Sequence, residues 1–283
     1  MEDIVRAVRP ITLDNAIKDY QAFERMTVTG LSRQRYGLRA LDYFFFFYRL
    51  QTKNKNKKKT YGHTFFEAYE HERENLLRIA RRLQRGEDMP SLFAAYELAY
   101  GTVNQFRPAI ASYLYQRYKP TAILDFSAGW GGRCLAVMAL NIPYIGIDSN
   151  VALQQPYSNM ITALDRSANV QLYFQPAEMF DYTAVEYDMI CTSPPYFMLE
   201  KYQNMPEYES KEDFLTRFFV PVVMTAWHYL TVGGYMLLNM PEEMYDCLSG
   251  LGPAVEVLEM PITKRPGCIK TIGEQIYVWH KGS

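Results

Sequence analysis

The sequence predicts an α/β protein, in which a mostly parallel sheet is covered by helices and preceded by a helical region. Three observations support this fold class. Seven short β-type runs follow residue 120, the early runs are separated by helix-length segments, and the first 100 residues carry apolar side chains at helical spacing. We therefore divide the 283-residue chain into a helical region, residues 1–100, and an α/β domain, residues 101–283.

Two segments of the first region have a helical pattern. Residues 63–86, HTFFEAYEHERENLLRIARRLQRG, repeat apolar side chains every three to four positions, which predicts one amphipathic helix that stops at Gly86. Residues 36–50, YGLRALDYFFFFYRL, also favour a helix, although four consecutive phenylalanines are compatible with a strand.

Charge is unevenly distributed along the chain, although the net charge is only −1. Residues 31–86 contain 14 Lys and Arg against 5 Asp and Glu, whereas the rest of the chain contains 16 against 26. This asymmetry suggests that one part of the protein meets a polyanion. Within the basic stretch, QTKNKNKKKT is either a solvated loop or a segment that follows a phosphate backbone. The lysines that we predict to contact nucleic acid are Lys53, Lys55, Lys57, Lys58 and Lys59.

Cysteines, histidines and apolar runs exclude several classes of protein. The cysteines are scattered without a CxxC pair and the histidines have no metal-ligand spacing, so we expect neither a disulfide framework nor a metal site. The N-terminus lacks the apolar core of a signal peptide, and no run approaches the roughly 18 apolar residues of a membrane helix. We therefore expect a soluble, intracellular protein that does not enter a membrane.

The β-type runs place the candidate functional residues. In chain order they are TAILDF, YIGID, VQLYFQ, YDMICT, GGYMLLNM, AVEVLEM and IYVWHK. In a parallel sheet covered by helices, ligands bind beyond the carboxyl ends of the strands. The residues directly after each strand are therefore the candidates for function.

Acidic residues and glycines follow the first three strands. Asp125 ends the first strand and is followed by a loop with glycines at 129, 131 and 132, which lets the backbone approach a ligand closely. A dinucleotide fingerprint would need a third glycine at position 134, where the chain has Cys134. Asp148 ends the second strand, 19 residues after Gly129, which suits a carboxylate that binds two ribose hydroxyls. The segment 177–179 follows the third strand, where an adenine edge would lie.

The fourth strand ends abruptly in CTSPPY. Each proline removes a backbone donor, so the pair cannot continue a strand. This segment is either a stiff turn or a device that fixes a backbone carbonyl and an aromatic ring beside a pocket.

From about residue 100 to residue 281 the chain resembles the S-adenosylmethionine-dependent methyltransferases. The resemblance implies a Rossmann-like, mostly parallel seven-stranded sheet that closes with an antiparallel hairpin, and S-adenosyl-L-methionine as cofactor. It implies that the first acidic residue and the glycine loop hold the methionine portion, the second acidic residue the ribose, and the turn after the third strand the adenine. The segment NQFRP, at 104–108, matches a further cofactor-contacting turn. The expected cofactor-binding residues are Phe106, Arg107, Asp125, Ser127, Ala128, Gly129, Gly131, Asp148, Ser149, Asn150, Ala177 and Glu178.

CTSPPY itself resembles the [DNS]-PP-[YFW] motif of methyltransferases that act on exocyclic amino groups of nucleobases. The lone pair of such an amine is delocalised into the ring, and two acceptors on its N–H bonds would redirect it toward the methyl group. The resemblance implies that Ser193 Oγ and the Pro194 carbonyl are these acceptors, that Pro195 stiffens the turn, and that Tyr196 stacks on a base that has left its duplex.

The resemblance favours DNA as substrate, with cytosine N4 slightly preferred to adenine N6. The string DFSAGWGGR is similar to forms in phage and large-virus DNA methylases. An RNA substrate and a catalytically silent nucleic-acid-binding partner are alternatives, whereas a dehydrogenase is disfavoured by Cys134 and by the proline turn. The pattern leaves the oligomeric state open. We expect the basic helical region, residues 1–100, to recognise the nucleic acid. Besides the lysines named above, the expected substrate contacts are Tyr196, Phe197, Lys264 and Arg265.

Overall fold

The computed structural model describes residues 1–31, 34–54, 62–101, 103–165, 169–197, 200–201, 207–260 and 274–282. Its α-helices are α1 (Glu2–Val8), α2 (Leu13–Glu24), α3 (Leu38–Arg49), α4 (Phe65–His71), α5 (Arg73–Arg82), α6 (Met89–Tyr100), α7 (Pro108–Tyr118), α8 (Gly132–Leu140), α9 (Gln154–Ala163), α10 (Lys211–Phe214), α11 (Val220–Tyr229) and α12 (Glu242–Tyr245). Its strands are β1 (Lys53–Asn54), β2 (Ile123–Asp125), β3 (Tyr144–Ile147), β4 (Val170–Tyr173), β5 (Met189–Thr192), β6 (Glu200–Lys201), β7 (Tyr235–Met240), β8 (Glu256–Glu259) and β9 (Gln275–His280). Short 3₁₀ turns lie at Val151–Leu153, Ala177–Met179, Tyr182–Ala184 and Asp246–Leu251, and a π-turn at Leu215–Phe219 joins α10 to α11.

Seven strands form one sheet in the order β4-β3-β2-β5-β7-β9-β8. The neighbours from β4 to β7 are parallel, whereas β9 runs antiparallel to both β7 and β8. This is a Rossmann-like, mostly parallel seven-stranded sheet with a closing antiparallel hairpin, and it confirms the predicted fold class. All seven predicted β-type runs form strands of this sheet.

The phenylalanine-rich segment is a helix. Gly37 starts α3 in the left-handed region, with φ of 79°, and the helix continues through Arg49. Phe45 and Phe46 are 0% and 1% exposed, respectively. Burial on both faces of this helix explains the consecutive phenylalanines, which in a strand would point alternately to opposite sides.

The amphipathic segment 63–86 is two helices rather than the one that the sequence predicted. Glu72 separates α4 from α5 with a non-helical φ of −128° and ψ of 25°. Its side chain accepts hydrogen bonds from Tyr100 Oη and Asn75 Nδ2, which anchor this break to α6. The predicted stop at Gly86 is also wrong, because Gln84 takes a φ of 54° and Arg85 N donates to Ala80 O, so the chain leaves the helix after Arg82.

Helices α2 and α3 share an apolar core with α7, α8 and α9 on one side of the sheet. A second core lies between the other side of the sheet and α11, and a third joins α1, α3 and α4–α6. The first core therefore crosses the boundary at residue 100 that we drew from the sequence. Within the described ranges, no helix is long and apolar enough to cross a membrane.

Candidate active site

A cleft of about 700 Å³ lies at the carboxyl ends of the parallel strands. Its wall combines the loops after β2, β3, β4 and β5 with residues of the helical region. The structure brings fourteen of the predicted site residues to this one wall: Phe106, Arg107, Ser127, Ala128, Gly129, Asp148, Ser149, Asn150, Ala177, Glu178, Ser193, Pro194, Pro195 and Tyr196.

Asp148 is fixed by the backbone around it. Its two carboxylate oxygens accept hydrogen bonds from Gly129 N (2.7 Å) and Asn150 N (2.9 Å). Burial disfavours the charged form and raises the pKa of Asp148 above its ordinary value. Because each carboxylate oxygen can accept more than one hydrogen bond, Asp148 retains acceptor capacity toward the cleft.

Asp125 does not line the cleft, contrary to what the sequence led us to expect of it. It is fully buried and forms an ion pair with Arg133 Nε (2.6 Å), while Tyr144 Oη donates to the same carboxylate (2.7 Å). Arg133, in the first turn of α8, occupies the wall instead and lies over the Phe106 ring at 5.1 Å. A carboxylate at the end of a buried strand needs a charged partner, and the first helical turn after the glycine loop supplies it.

Gly131 also faces away from the cleft. A Cβ on this residue would lie 2.8 Å from the Phe45 ring of α3. The glycine loop is therefore packed against the helical region on one side and borders the cleft on the other.

The proline turn is anchored by a residue that the sequence did not single out. Asn239, near the end of β7, donates through Nδ2 to Ser193 Oγ (3.2 Å) and to Tyr196 Oη (3.1 Å). Tyr196 Oη in turn donates to the Asn239 backbone carbonyl (3.1 Å). Asn239 is 4% exposed and lies in the cleft wall, where its Nδ2 also faces the Glu274 carboxylate (3.3 Å). An asparagine in a buried strand was the available sequence signal, since a buried amide needs partners.

The helical region adds a second unpredicted group. Arg9 and Arg49 both form ion pairs with the buried Asp42, the latter at 2.6 Å, and all three residues line the cleft. Burial and the nearby Arg49 charge lower the pKa of Arg9 to about 10. Arg35 lies in the same wall. Asp42 and Arg49 are seven residues apart and so share one face of α3, but only the packing of the helical region brings them to the cleft together with Arg9.

Two predicted substrate contacts are placed elsewhere. Phe197 is absent from the cleft wall and packs on Phe214 with ring centroids 5.7 Å apart. Lys53 forms an ion pair with Glu67 (2.8 Å), and β1 pairs antiparallel with β6, in the segment that follows the proline turn. The remaining predicted contacts lie outside the described residues: Lys55, Lys57, Lys58, Lys59, Lys264 and Arg265.

Comparison with known proteins gives structural neighbours alone. No protein-family model matches the chain, and no curated protein matches its sequence. TrmN from Thermus thermophilus is 17% identical with a TM-score of 0.46, and the match covers 62% of this chain and 48% of that chain. NSun6 from Pyrococcus horikoshii with SFG is 17% identical with a TM-score of 0.45, covering 67% and 55%. An rRNA methylase from Streptococcus thermophilus is 12% identical with a TM-score of 0.42, covering 64% and 100%. The chain thus spans about half of the length of TrmN, and at these identities the likeness concerns the fold.

Proposed function

We propose that the protein transfers the methyl group of S-adenosyl-L-methionine to an exocyclic amino group of a nucleobase in DNA. The observation that carries this proposal is the position of the proline turn. Ser193, Pro194 and Tyr196 lie in the same cleft wall as Asp148 and the glycine loop.

The cleft suits the proposed cofactor. Asp148 would accept hydrogen bonds from the two ribose hydroxyls, because both of its oxygens are held in place by backbone donors. Ala177 and Glu178, in the turn after β4, would border the adenine. Tyr208 also lines the cleft, near enough to Glu178 for that charge to act on it, and would border the adenosine. When bound, the cofactor supplies a methyl group on a positively charged sulfur.

The proline turn suits an amine acceptor. Ser193 Oγ accepts from Asn239 and retains one lone pair for a substrate N–H, and the Pro194 carbonyl offers a second acceptor. The two prolines restrict the backbone, so these acceptors are oriented before the substrate arrives. Held by both N–H bonds, the nitrogen directs its lone pair into the cleft. The N–C bond would form as the S–C bond breaks, with S-adenosylhomocysteine as the leaving group, and the extra proton would pass from the nitrogen to solvent after transfer.

Tyr196 would hold the base in place. Asn239 fixes its hydroxyl, so the ring is held at the cleft wall as a surface on which a base that has left its duplex could stack. The prolines and Asn239 together would keep the acceptors and the ring in one fixed arrangement. Cytosine N4 in preference to adenine N6 is our prediction from the Ser-Pro-Pro form of the turn.

The test uses labelled S-adenosylmethionine with unmethylated duplex DNA, single-stranded DNA and total RNA in parallel, followed by mass spectrometry of the nucleosides. We expect N4-methylcytosine or N6-methyladenine in DNA. Label in RNA alone would assign the enzyme to the other polymer, and cofactor binding without transfer would favour a silent partner or a missing subunit. Ser193→Ala should reduce turnover while cofactor affinity stays within about twofold, because the serine hydroxyl acts on the amine.

A further inference from the structure

We propose that the N-terminal helical region binds the α-carboxylate of the cofactor's methionine portion, through Arg9 and Arg35. This inference rests on the proposed function for the identity of the cofactor. It gives the helical region a second role besides nucleic-acid recognition, because the cofactor site would be incomplete without it.

The order of the strands determines the direction in which the cofactor would lie. Glu178 follows β4, Asp148 follows β3 and Gly129 follows β2, and these strands are adjacent in the order β4-β3-β2. With adenine at the first position and ribose at the second, the amino-acid end reaches the glycine loop. The methionine portion therefore points toward the elements that pack on that loop.

Those elements belong to the helical region. Helix α3 touches the glycine loop, where a Cβ on Gly131 would lie 2.8 Å from the Phe45 ring. One turn further along α3, Arg49 donates to Val103 O (3.2 Å), which ties the helix to the turn at 104–107. Both this turn and the charged face of α3 line the cleft.

This part of the wall has an excess of positive charge, which favours an anion. The wall here holds three arginines, at positions 9, 35 and 49, but one buried carboxylate, that of Asp42. With Glu97, whose charge also acts on Arg9, the net charge of the group is +1. Arg49 is held between Asp42 and Val103 O. Arg35 is exposed at the rim and, within the described part of the chain, has no carboxylate within 4 Å.

Asp125, which we expected to hold the methionine portion, is buried against Arg133 and leaves the cofactor's ammonium group without this carboxylate. Gln105 offers a replacement. Its Nε2 faces the acceptor-only Asp42 carboxylate (3.4 Å), so Oε1 points elsewhere and has no hydrogen-bond partner among the described residues. Oε1 is therefore an unsatisfied acceptor, which would accept a hydrogen bond from an ammonium group placed against it.

The experiment compares S-adenosylhomocysteine with its decarboxylated analogue by calorimetry. The wild-type protein should bind the analogue about 10- to 100-fold more weakly, as expected for lost hydrogen bonds to a charged group. Arg9→Gln and Arg35→Gln should weaken S-adenosylhomocysteine binding and should reduce the difference between the two ligands to within about threefold. Arg6→Gln is the matched control, because Arg6 is exposed on α1 and outside the cleft wall.

Three other outcomes are informative. Unchanged discrimination in both arginine variants would refute the carboxylate subsite. Weaker DNA binding with unchanged S-adenosylhomocysteine binding would also refute it and would assign the arginines to phosphate. If the folded wild-type protein binds neither ligand, the proposed function fails instead. Arg35→Gln keeps the test valid if Arg9→Gln does not fold, since Arg35 has no ion pair to lose within the described ranges.

Discussion

Replacing Asn239 by leucine tests whether the proline turn, which we propose binds the substrate amine, is held in place by β7. The Asn239→Leu side chain keeps the shape but cannot donate to Ser193 Oγ and Tyr196 Oη, now 3.2 and 3.1 Å away. A neutral hydrogen bond contributes about 0.5–1.5 kcal/mol, so two of them amount to about 1–3 kcal/mol. If that energy positions the acceptor and the ring, turnover should fall about 5- to 150-fold.

The fold should tolerate this change. Asn239 Oδ1 is buried without a partner among the described residues, and such an acceptor costs about 1–3 kcal/mol. Leucine removes this cost together with the donated bonds, so we expect the free energy of unfolding to change by less than about 1 kcal/mol. Loss of activity can then be distinguished from loss of structure.

The assay is single-turnover methyl transfer with saturating cofactor and nucleic acid, together with cofactor affinity and a denaturant titration. Thr192→Val is the matched control, since Thr192 precedes Ser193, is 1% exposed, and has a hydroxyl without a partner among the described residues. It should leave turnover unchanged. Turnover of Asn239→Leu within threefold of wild type would refute the positioning role, and a change confined to cofactor affinity would reassign the residue.

Three further predictions follow from the buried charges and the glycine loop. The raised pKa of Asp148 means that its carboxylate takes up a proton at higher pH than an ordinary aspartate, so cofactor affinity should fall as the pH drops through that pKa. Calorimetry from pH 7 downward should show this fall in the wild-type protein. A parallel fall in Asp148→Asn would contradict the prediction. Gly132→Ala would place a Cβ 1.9 Å from a main-chain carbonyl oxygen and should destabilise the protein by at least about 1–3 kcal/mol. Gly30→Ala is the control, since a Cβ there has nothing within 4 Å and should not destabilise the protein. Equal melting temperatures of the two variants would disprove the steric argument. Arg133→Met leaves Asp125 buried without its ion pair and should lower the free energy of unfolding, measured by denaturant titration, by about 3–5 kcal/mol. A double variant with Asp125→Leu should recover much of this loss. No recovery would mean that the broken ion pair is not the cause.

The sheet could be predicted from the sequence because its information is local. Each strand is a short β-type run, and glycine or proline follows most of them, with Asp148, Ser149 and Asn150 after β3 as the exception. Parallel order then brings the residues after each strand to one edge of the sheet, so Asp148, Glu178 and Ser193 were expected to share a cleft, and the structure places them there.

Local sequence patterns gave the wrong prediction where a side chain bonds a residue elsewhere in the sequence. Glu72 interrupts a sequence with uniform helical periodicity because Tyr100, 28 residues away, bonds its carboxylate. Asp125 matches the position of a ligand-binding residue, but Arg133 and Tyr144 occupy its oxygens. In both cases the residue type was informative about charge and hydrogen bonding, and the partner was decided by packing.

The boundary between the helical region and the α/β domain is weaker in the structure than in the sequence. Composition separates a basic helical region from an acidic α/β domain, yet Phe45 and Leu41 of α3 belong to the same core as Leu135 of α8. Because the glycine loop is packed against α3, a displacement of that helix would move the cofactor wall directly. If nucleic acid binds the helical region, its binding energy can therefore reach the cofactor site through rigid, contiguous contacts. Binding of the polymer and binding of the cofactor should then be coupled, and by linkage each should change the affinity of the other by the same factor.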